Sequence, residues 1–483
     1  MIKTIKFFKK RGKLLLVLLL NVGMFYSCVP TKELKQENKN LPSQYAQQST
    51  DSTNSAIVQW KDFFKDDNLI KLIDTALVNN QELNIMLKQI DVAQNEVKAR
   101  KGEYLPFITY GAGAEVEKVG EYTRNGAVEK NLEIKDGEEF PEPLTYYSAG
   151  IFASWELDIW KKLRNSKKSA VLEYLSSIEG KNFMVTRIIA EIADSYYELL
   201  ALDNQLAFIE QNLELQGNAL MMVRLQKEAA RATELAVKRF EAEVFKNQSH
   251  KFEVQQEIVE MENKLNFLIG RQPQRIARNS ASFIETQMDT IYSGVPSQLL
   301  QNRPDIRQAE YELEAAKLNI KVARANFYPS IGIKAGIGLQ AFNPKYLTTT
   351  PESLMYSAMG DIVGPLINRN AIKANYNTAN AKQVQAVYEF EKAILNGYIE
   401  VVNQLSKMEN LKKSYDLKEN QVKALTASID LSTRLFQSAR IEYIEVLLTQ
   451  REALESKMEL VETKKDQLMA RVNVYQALGG GWN

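Results

Sequence analysis

The chain contains an internal repeat with a period of 209 residues, and this repeat constrains its fold more than any other feature. The tripeptide YSA at residues 147–149 recurs at 356–358, and Glu191 recurs as Glu400, in each case 209 positions later. Solenoid repeats have periods of about 20–50 residues. A period this long therefore predicts one structural unit that is built twice.

The repeat predicts the division of the chain. We expect a first repeat over residues 57–270, an inter-repeat linker over 271–296, and a second repeat over 297–483. The first repeat carries an insertion at about 124–143 that is charged and contains Gly and Pro, which predicts a surface loop.

Each repeat changes from a helical to a strand pattern at a proline. Between Arg303 and Phe327 the apolar residues recur every three or four positions, whereas beyond Pro329 they alternate with small or polar ones. Four such alternating segments occur, each with roughly the 9–11 residues that a tilted strand needs to cross a bilayer. They lie near 107–116, 147–157, 330–341 and 354–366.

The rest of the chain behind the N-terminus is predicted to be largely helical. Residues 161–231 contain no proline and carry a coiled-coil pattern, so they predict one helix on the order of 100 Å long. Two shorter helices, stacked end to end, could line the full length of this long helix. In both repeats, the predicted helices lie near 69–102, 161–231, 233–268, 304–326, 367–439 and 443–476.

The N-terminus has the features of a secretory signal. A basic segment precedes a short apolar run, Leu14–Leu20, and Cys28 follows as the only cysteine of the chain. We predict a signal peptide at 1–27. The placement of Cys28 resembles a bacterial lipoprotein signal, which implies a covalent lipid on that residue, and an ordinary signal with an incidental cysteine is the alternative. Residues 28–56 are polar and predict a flexible tether.

Composition argues against several functions. The net charge of +1 gives no indication of nucleic-acid binding. His250 is the only histidine, so no His/Cys metal site or nucleophile–base pair can be assembled, and we predict no enzymatic activity, no metal and no cofactor other than the lipid. Behind the signal, no apolar run approaches the roughly 18 residues of a spanning helix.

Four strands are too few to close a barrel, and an open sheet edge in lipid would leave backbone groups unpaired. We therefore expect an oligomer that shares one barrel. Two functions remain open: a passive exit duct, and a lipid-anchored periplasmic coiled-coil scaffold or adaptor without a pore. Strands of bilayer-spanning length with aromatic ends favour the duct, because a scaffold does not need them.

The motifs Arg303-Pro304-Asp305-Ile306, Trp155-Glu156-Leu157-Asp158 and Ala477-Leu478-Gly479-Gly480-Gly481-Trp482 closely resemble those of the TolC-like outer-membrane efflux factors, in particular the lipoprotein branch that serves resistance-nodulation-division (RND) pumps. The resemblance covers residues 57–483. It implies a mainly α fold with a membrane β part, in which a homotrimer forms a helical tunnel through the periplasm and a twelve-stranded barrel in the outer membrane. It also implies docking to a periplasmic adaptor (membrane fusion protein) and an inner-membrane RND-type pump, which selects the cargo.

The resemblance also directs attention to the helical hairpin turns. The family usually has glycine there, whereas this chain has Ala230 and Ala439. By position, Arg231 and Arg440 are candidates for adaptor docking. Asp430 and Glu442 lie near the same end, and in a trimer they could form acidic rings that favour cations. The alternative is that both are solvated charges on a helix face.

Overall fold

The computed structural model describes residues 29–45, 53–287, 289–365, 367, 369–438 and 440–482. These residues form long α-helices, one four-stranded sheet and one small hairpin. The helices are α1 (Trp60–Phe63), α2 (Asp67–Asn79), α3 (Gln81–Glu103), α4 (Arg124–Asn131), α5 (Lys162–Glu228), α6 (Glu234–Ile269), α7 (Leu299–Asn302), α8 (Pro304–Ala325), α9 (Asn370–Gln437) and α10 (Tyr443–Ala477). The strands are β1 (Phe107–Glu117), β2 (Glu133–Lys135), β3 (Glu138–Glu139), β4 (Leu144–Leu157), β5 (Ser330–Ala341) and β6 (Leu354–Val363).

The chain divides into two compact units, and both repeats contribute to each. The sheet unit contains residues 29–36, Val92–Tyr174 and Glu312–Val387. The helical unit contains the described parts of Glu37–Asp91, Leu175–Tyr311 and Tyr388–Asn483. None of the helices in the described residues is both long enough and apolar enough to span a membrane.

The four predicted strands form one antiparallel sheet with the order β1-β4-β5-β6. The strand boundaries predicted from alternation agree closely with the structure, although β4 begins at Leu144 rather than 147 and β6 ends at Val363 rather than 366. Pro329 explains the change from helix to strand, because a proline disfavours helical geometry in the residue before it and lacks an N–H to continue the helix. Accordingly, α8 ends at Ala325 and β5 begins at Ser330.

The helix predicted over 69–102 is two helices, because Asn80 interrupts it. Asn80 has an extended backbone, and its side-chain oxygen accepts a hydrogen bond from the Leu83 N–H at 2.9 Å. Its side-chain amide donates to the Leu268 carbonyl at 2.8 Å. Asn80 thus caps α3 and fixes it to the end of α6, a tertiary contact that hydrophobic periodicity does not encode.

The insertion at 124–143, predicted to be a surface loop, contains α4 and the β2–β3 hairpin. Thr123 starts α4 by accepting a hydrogen bond from the Gly126 N–H. Gly137, with φ of 80°, makes the turn between β2 and β3.

The segment predicted as a flexible tether is packed where the structure describes it. In the sheet unit, the Lys32 N–H donates to the Tyr376 hydroxyl at 3.1 Å. In the helical unit, the buried ring of Tyr45 stacks on Tyr398 with 5.7 Å between centroids. The polar composition of residues 29–45 does not reveal these contacts, because they depend on aromatic residues far away in the sequence.

The start of α8 is organised by Arg303. Its buried guanidinium contacts Asp305 and Glu400, each at 2.8 Å, and donates to the Ala477 carbonyl at 2.7 Å. Pro304 occupies the first helical position, where its missing N–H costs nothing. The motif at 303–306 is therefore structural: it joins the start of α8 to α9 and to the end of α10.

Candidate functional site

One face of the sheet is apolar and exposed. The register places Tyr110, Ile151, Ile337 and Tyr356 side by side across the four strands. Tyr110 is 92% exposed and Tyr356 81% exposed. Because alternation puts every second residue on the same face, the neighbouring rows on this face are apolar too. We call this surface the sheet face.

The opposite face of the sheet carries mostly small and polar side chains. Gly150 and Gly338 are paired across β4 and β5, and Lys334 of β5 lies 3.3 Å from Asp361 of β6. Larger side chains on this face include Phe152, Met355 and Met359, and a Cβ at Gly336 would lie only 2.8 Å from the Phe152 ring. The sheet thus separates an apolar surface from a polar one, as a wall between lipid and water requires.

Aromatic side chains are anchored near the ends of the strands. The Trp155 indole donates to the Tyr104 carbonyl at 3.1 Å, and the Trp160 indole donates to the Pro329 carbonyl at 2.8 Å. Trp160 also stacks on Tyr328 at 4.5 Å between centroids. Such rings combine an apolar body with a satisfied polar atom, which suits a membrane–water interface.

The first hairpin, α5–α6, turns through Ala230 with a left-handed backbone (φ 61°). The Arg231 N–H donates to the Gln226 carbonyl at 2.8 Å and the Ala230 N–H donates to the Lys227 carbonyl at 2.9 Å. This is the Schellman pattern that ends many helices, usually with glycine at the left-handed position. Ala230 therefore adopts the left-handed geometry that glycine usually adopts at this position.

The second hairpin, α9–α10, ends in the same way. The Arg440 N–H donates to the Leu435 carbonyl at 2.9 Å, which is the bond equivalent to that of Arg231 under the 209-residue repeat. Ala439 lies outside the described residues. Thr233 caps α6 through the Ala236 N–H, whereas Glu442, its equivalent, makes no side-chain cap to α10.

The two hairpins meet near their turns in an apolar cluster, which we call the tip cluster. The buried members are Val223, Ala236, Val237, Phe240, Phe436, Val446 and Leu447. The rings of Phe240 and Tyr443 lie 6.4 Å apart between centroids. The cluster fixes the hairpin ends against each other within one chain.

The sequence-predicted residues at this end are all exposed. Arg231 and Arg440 lie at the two turns, as predicted, and Asp430 lies on α9. Glu442 lines an open groove of about 540 Å³ between α9 and α10, with Leu431, Leu435, Glu445 and Thr449. We call this the acidic groove. It was missed from the sequence, although the repeat could have indicated it, since Glu445 stands where the first repeat has Ala236.

Two other predictions from the sequence concern lipid attachment and metal binding. Cys28, the predicted lipidation site, lies outside the described residues. In the described residues, no group of three or more His, Cys, Asp or Glu side chains could hold a metal ion.

An exposed amphipathic sheet combined with long paired helices defines the class of outer-membrane channel proteins that extend into the periplasm. The sequence matches the outer membrane efflux protein family over residues 72–271 and 295–480, so the chain belongs to this family. It is the outer-membrane channel component of a tripartite efflux system, and it is not an enzyme.

Curated relatives agree over most of the chain. The pyoverdine export outer membrane protein OpmQ of Pseudomonas putida is 26% identical over 426 residues, which cover 88% of each chain. The cation efflux system protein CusC of Escherichia coli O6:H1 is 27% identical, with the same coverage. The fold is similar to that of the open-state outer membrane channel MtrE of Neisseria gonorrhoeae, with a TM-score of 0.82 and 22% identity, over 94% of this chain and 99% of that one.

Proposed function

We propose that three copies of this chain form one passive exit duct, docked to a periplasmic adaptor and supplied by an inner-membrane RND-type pump. The observation that carries the proposal is the sheet with its continuous apolar face and two unpaired edges. In the described residues, β1 and β6 each have one neighbouring strand. An edge exposed to lipid leaves backbone N–H and C=O groups unsatisfied, at a cost of several kcal/mol each. Pairing β6 of one copy with β1 of the next removes all edges, and three copies supply twelve strands.

The experiment is reconstitution of the purified full-length protein into planar lipid bilayers. A duct predicts stable single-channel conductance together with retention in the outer-membrane fraction after salt washing. A protein that washes off with salt and gives no conductance would instead support the periplasmic scaffold.

We propose that the exposed hairpin turns dock the adaptor. Arg231 and Arg440 are exposed, and within the described residues neither side chain has an ion pair or hydrogen bond. Reversing both charges, Arg231→Glu with Arg440→Glu, should reduce cross-linking of the adaptor to the channel in intact cells. Arg451→Glu, an exposed arginine within α10, is the matched control and should leave the yield unchanged. Equal adaptor cross-linking in both variants would contradict a docking role for the turns.

The lipid on Cys28 remains a proposal from the sequence. Intact-mass analysis of the mature chain should begin at Cys28 and include the mass of a lipid, and Cys28→Ser should lose that mass. An unmodified mature chain would contradict the proposal.

We propose that Asp430 and Glu442 contribute acidic rings at the channel entrance. Asp430→Asn should lower cation selectivity of the reconstituted channel, because a ring of like charges concentrates counter-ions. Adding Glu442→Gln tests the second residue. Unchanged conductance and selectivity in the double variant would indicate that both residues are solvated charges on a helix face.

The cargo is proposed to be chosen by the pump. The names of the two relatives above give pyoverdine in one case and cations in the other. A duct with a similar sequence thus serves different substrates. Cross-linked co-purification, which would name the adaptor and pump, is the experiment that identifies the cargo of this chain.

A further inference from the structure

The helix that follows β4 begins with a basic segment. Residues 159–172 contain five Lys and Arg residues and no Asp or Glu. Three of the five, Lys161, Arg164 and Lys168, are spaced by three and four positions, which places them on one face at the start of α5. All three residues are exposed. We call this surface the basic stripe.

The basic stripe adjoins the apolar face of the sheet. The Arg164 guanidinium lies over the ring of Tyr104, 5.8 Å from its centroid. The Tyr104 carbonyl in turn accepts a hydrogen bond from the Trp155 indole at 3.1 Å. Trp155 belongs to the same alternate set of β4 residues as Ile151, which lies on the sheet face. The stripe therefore begins where the apolar surface of the sheet ends.

Most of the positive charge of the stripe is left without a partner inside the chain. In the described residues, the side chains of Lys161 and Lys168 have no hydrogen bond or ion pair. Arg164 contacts Asp158, but only 1% of the Asp158 side chain is exposed, and its carboxylate also accepts the Leu163 and Arg164 N–H groups. The Arg164 bonds to Asp158 use Nε and Nη2. Its Nη1 group therefore keeps N–H donors for an external anion.

The two ends of the sheet differ in charge. Basic residues also occur at the other three junctions between strands and helices: Arg100 and Lys101, Lys321 and Arg324, and Arg369 and Lys373. At the far end, the connection from β1 to β4, residues 118–143, contains seven Asp and Glu residues against four Lys and Arg residues. Positive charge is thus concentrated at the end where the sheet joins the helices.

The second repeat uses the equivalent surface differently. It has Asn377 where the first repeat has Lys168. The Asn377 side-chain oxygen accepts a hydrogen bond from the Lys32 ammonium at 3.3 Å. Val29, the residue after the proposed lipidation site, packs against the cluster that contains Tyr376. The second repeat therefore binds a segment of its own chain at the level where the proposed lipid would enter the membrane, whereas the stripe of the first repeat is left open within the chain.

We propose that the basic stripe binds the phosphate groups of an anionic phospholipid, phosphatidylglycerol, in the periplasmic leaflet of the outer membrane. The sheet face contacts the acyl chains, the rings of Tyr104 and Trp155 lie at the level of the headgroups, and the basic side chains reach the phosphates. Each basic side chain beside an anionic bilayer strengthens the interaction by about fivefold. The inference needs the outer-membrane location of the sheet, and it does not depend on the number of chains in the channel.

Native mass spectrometry of the full-length protein tests the proposal. The protein is incorporated into nanodiscs with equal amounts of phosphatidylglycerol and phosphatidylethanolamine, and the lipids that stay bound after transfer into detergent are counted. The wild-type protein should retain phosphatidylglycerol in preference. Lys161→Asn with Lys168→Gln should reduce that preference by about fivefold for each lost charge. Asparagine is chosen because Lys161 has a left-handed backbone, with φ of 60°, which asparagine tolerates.

The matched control is Lys71→Gln with Lys412→Gln, which removes two exposed lysines of the helical unit and should leave the lipid preference unchanged. Raising the salt concentration from about 0.1 M to about 0.5 M should weaken phosphatidylglycerol retention by the wild-type protein, because salt screens exposed charges. Inorganic phosphate should not displace the lipid, since the sheet face also holds its acyl chains. Displacement by phosphate would indicate a site for a free anion and would overturn the proposal.

The outcomes separate this inference from the proposed duct. Equal retention of the two lipids by the wild-type protein, or the same preference in the stripe variant and the control, would remove the lipid-binding surface. If that protein still conducts in planar bilayers, the duct stands. A clear preference for phosphatidylglycerol in a protein that gives no conductance would support the lipid-binding surface and contradict the duct alone.

Discussion

Ala230 shows how a single residue can adopt a geometry that its type disfavours. Its left-handed backbone completes the hydrogen bonds that end α5. This conformation costs a residue with a Cβ roughly 1–2 kcal/mol. The capping bonds of the Arg231 and Ala230 N–H groups offset that cost, and the chain turns without glycine.

Ala230→Gly should therefore stabilise the protein by about 1 kcal/mol, because the relief of the left-handed alanine exceeds the entropy that glycine adds to the unfolded chain. Thermal unfolding in detergent measures this. The control is Ala242→Gly, an exposed site within α6, which should destabilise by a similar amount. A decrease in stability with both variants would contradict the strain at Ala230.

Asp194 is a second residue with a consequence for the whole helical unit. Burial raises the pKa of its carboxyl to about 7, although the Asn473 amide 3.5 Å away opposes the shift. The folded chain therefore holds a proton that the unfolded chain releases. The stability from this residue is present at low pH and is lost as the pH rises from about 4 to about 7, at about 1.4 kcal/mol per unit.

Asp194→Asn should raise the melting temperature at pH 8 and change it little at pH 4, because the amide mimics the neutral carboxyl. Melting curves at the two pH values provide the measurement, with Glu214→Gln on the exposed surface as the control. An equal shift at both pH values would rule out titration of Asp194 as the cause.

At the scale of elements, the strands were predictable and the caps were not. The alternation of apolar and small residues predicted four strands within about three residues of their ends, since one face of each strand is apolar throughout. The break at Asn80 and the packing of residues 29–45 could not be predicted. Both depend on contacts between residues far apart in sequence, such as Asn80 with Leu268.

The pairing of β4 with β5 depends on a close backbone approach at Gly338. A Cβ there would lie 2.4 Å from the Ala149 carbonyl oxygen and 2.7 Å from the Gly150 Cα. Gly338→Ala should therefore reduce the yield of folded channel in the outer membrane, because backbone atoms on both strands must move.

Gly360→Ala is the matched control for this prediction, because the nearest atom to an added Cβ there is 3.9 Å away. The amount of heat-modifiable protein in isolated outer membranes provides the measurement. Equal amounts for Gly338→Ala and Gly360→Ala would mean that the sheet relaxes around the extra methyl group.

At the scale of the whole molecule, the duplicated unit gives one chain four strands in one sheet, and four strands are too few to close a barrel. The 209-residue period and the strand lengths predicted a duplicated hairpin unit with a membrane sheet, and the family match confirms that class. Residue roles at the hairpin ends were less predictable, because equivalent positions differ in their partners. Glu442, a candidate for an acidic ring by its position in the sequence, also lines a groove beside Glu445, and the sequence did not predict that groove.

The central claim is that several chains must join their sheets to form one channel. Native mass measurement of the detergent-solubilised full-length protein tests it most directly. The account predicts a particle of three identical chains with no other protein component. A particle that contains a single chain and remains soluble without detergent would contradict it.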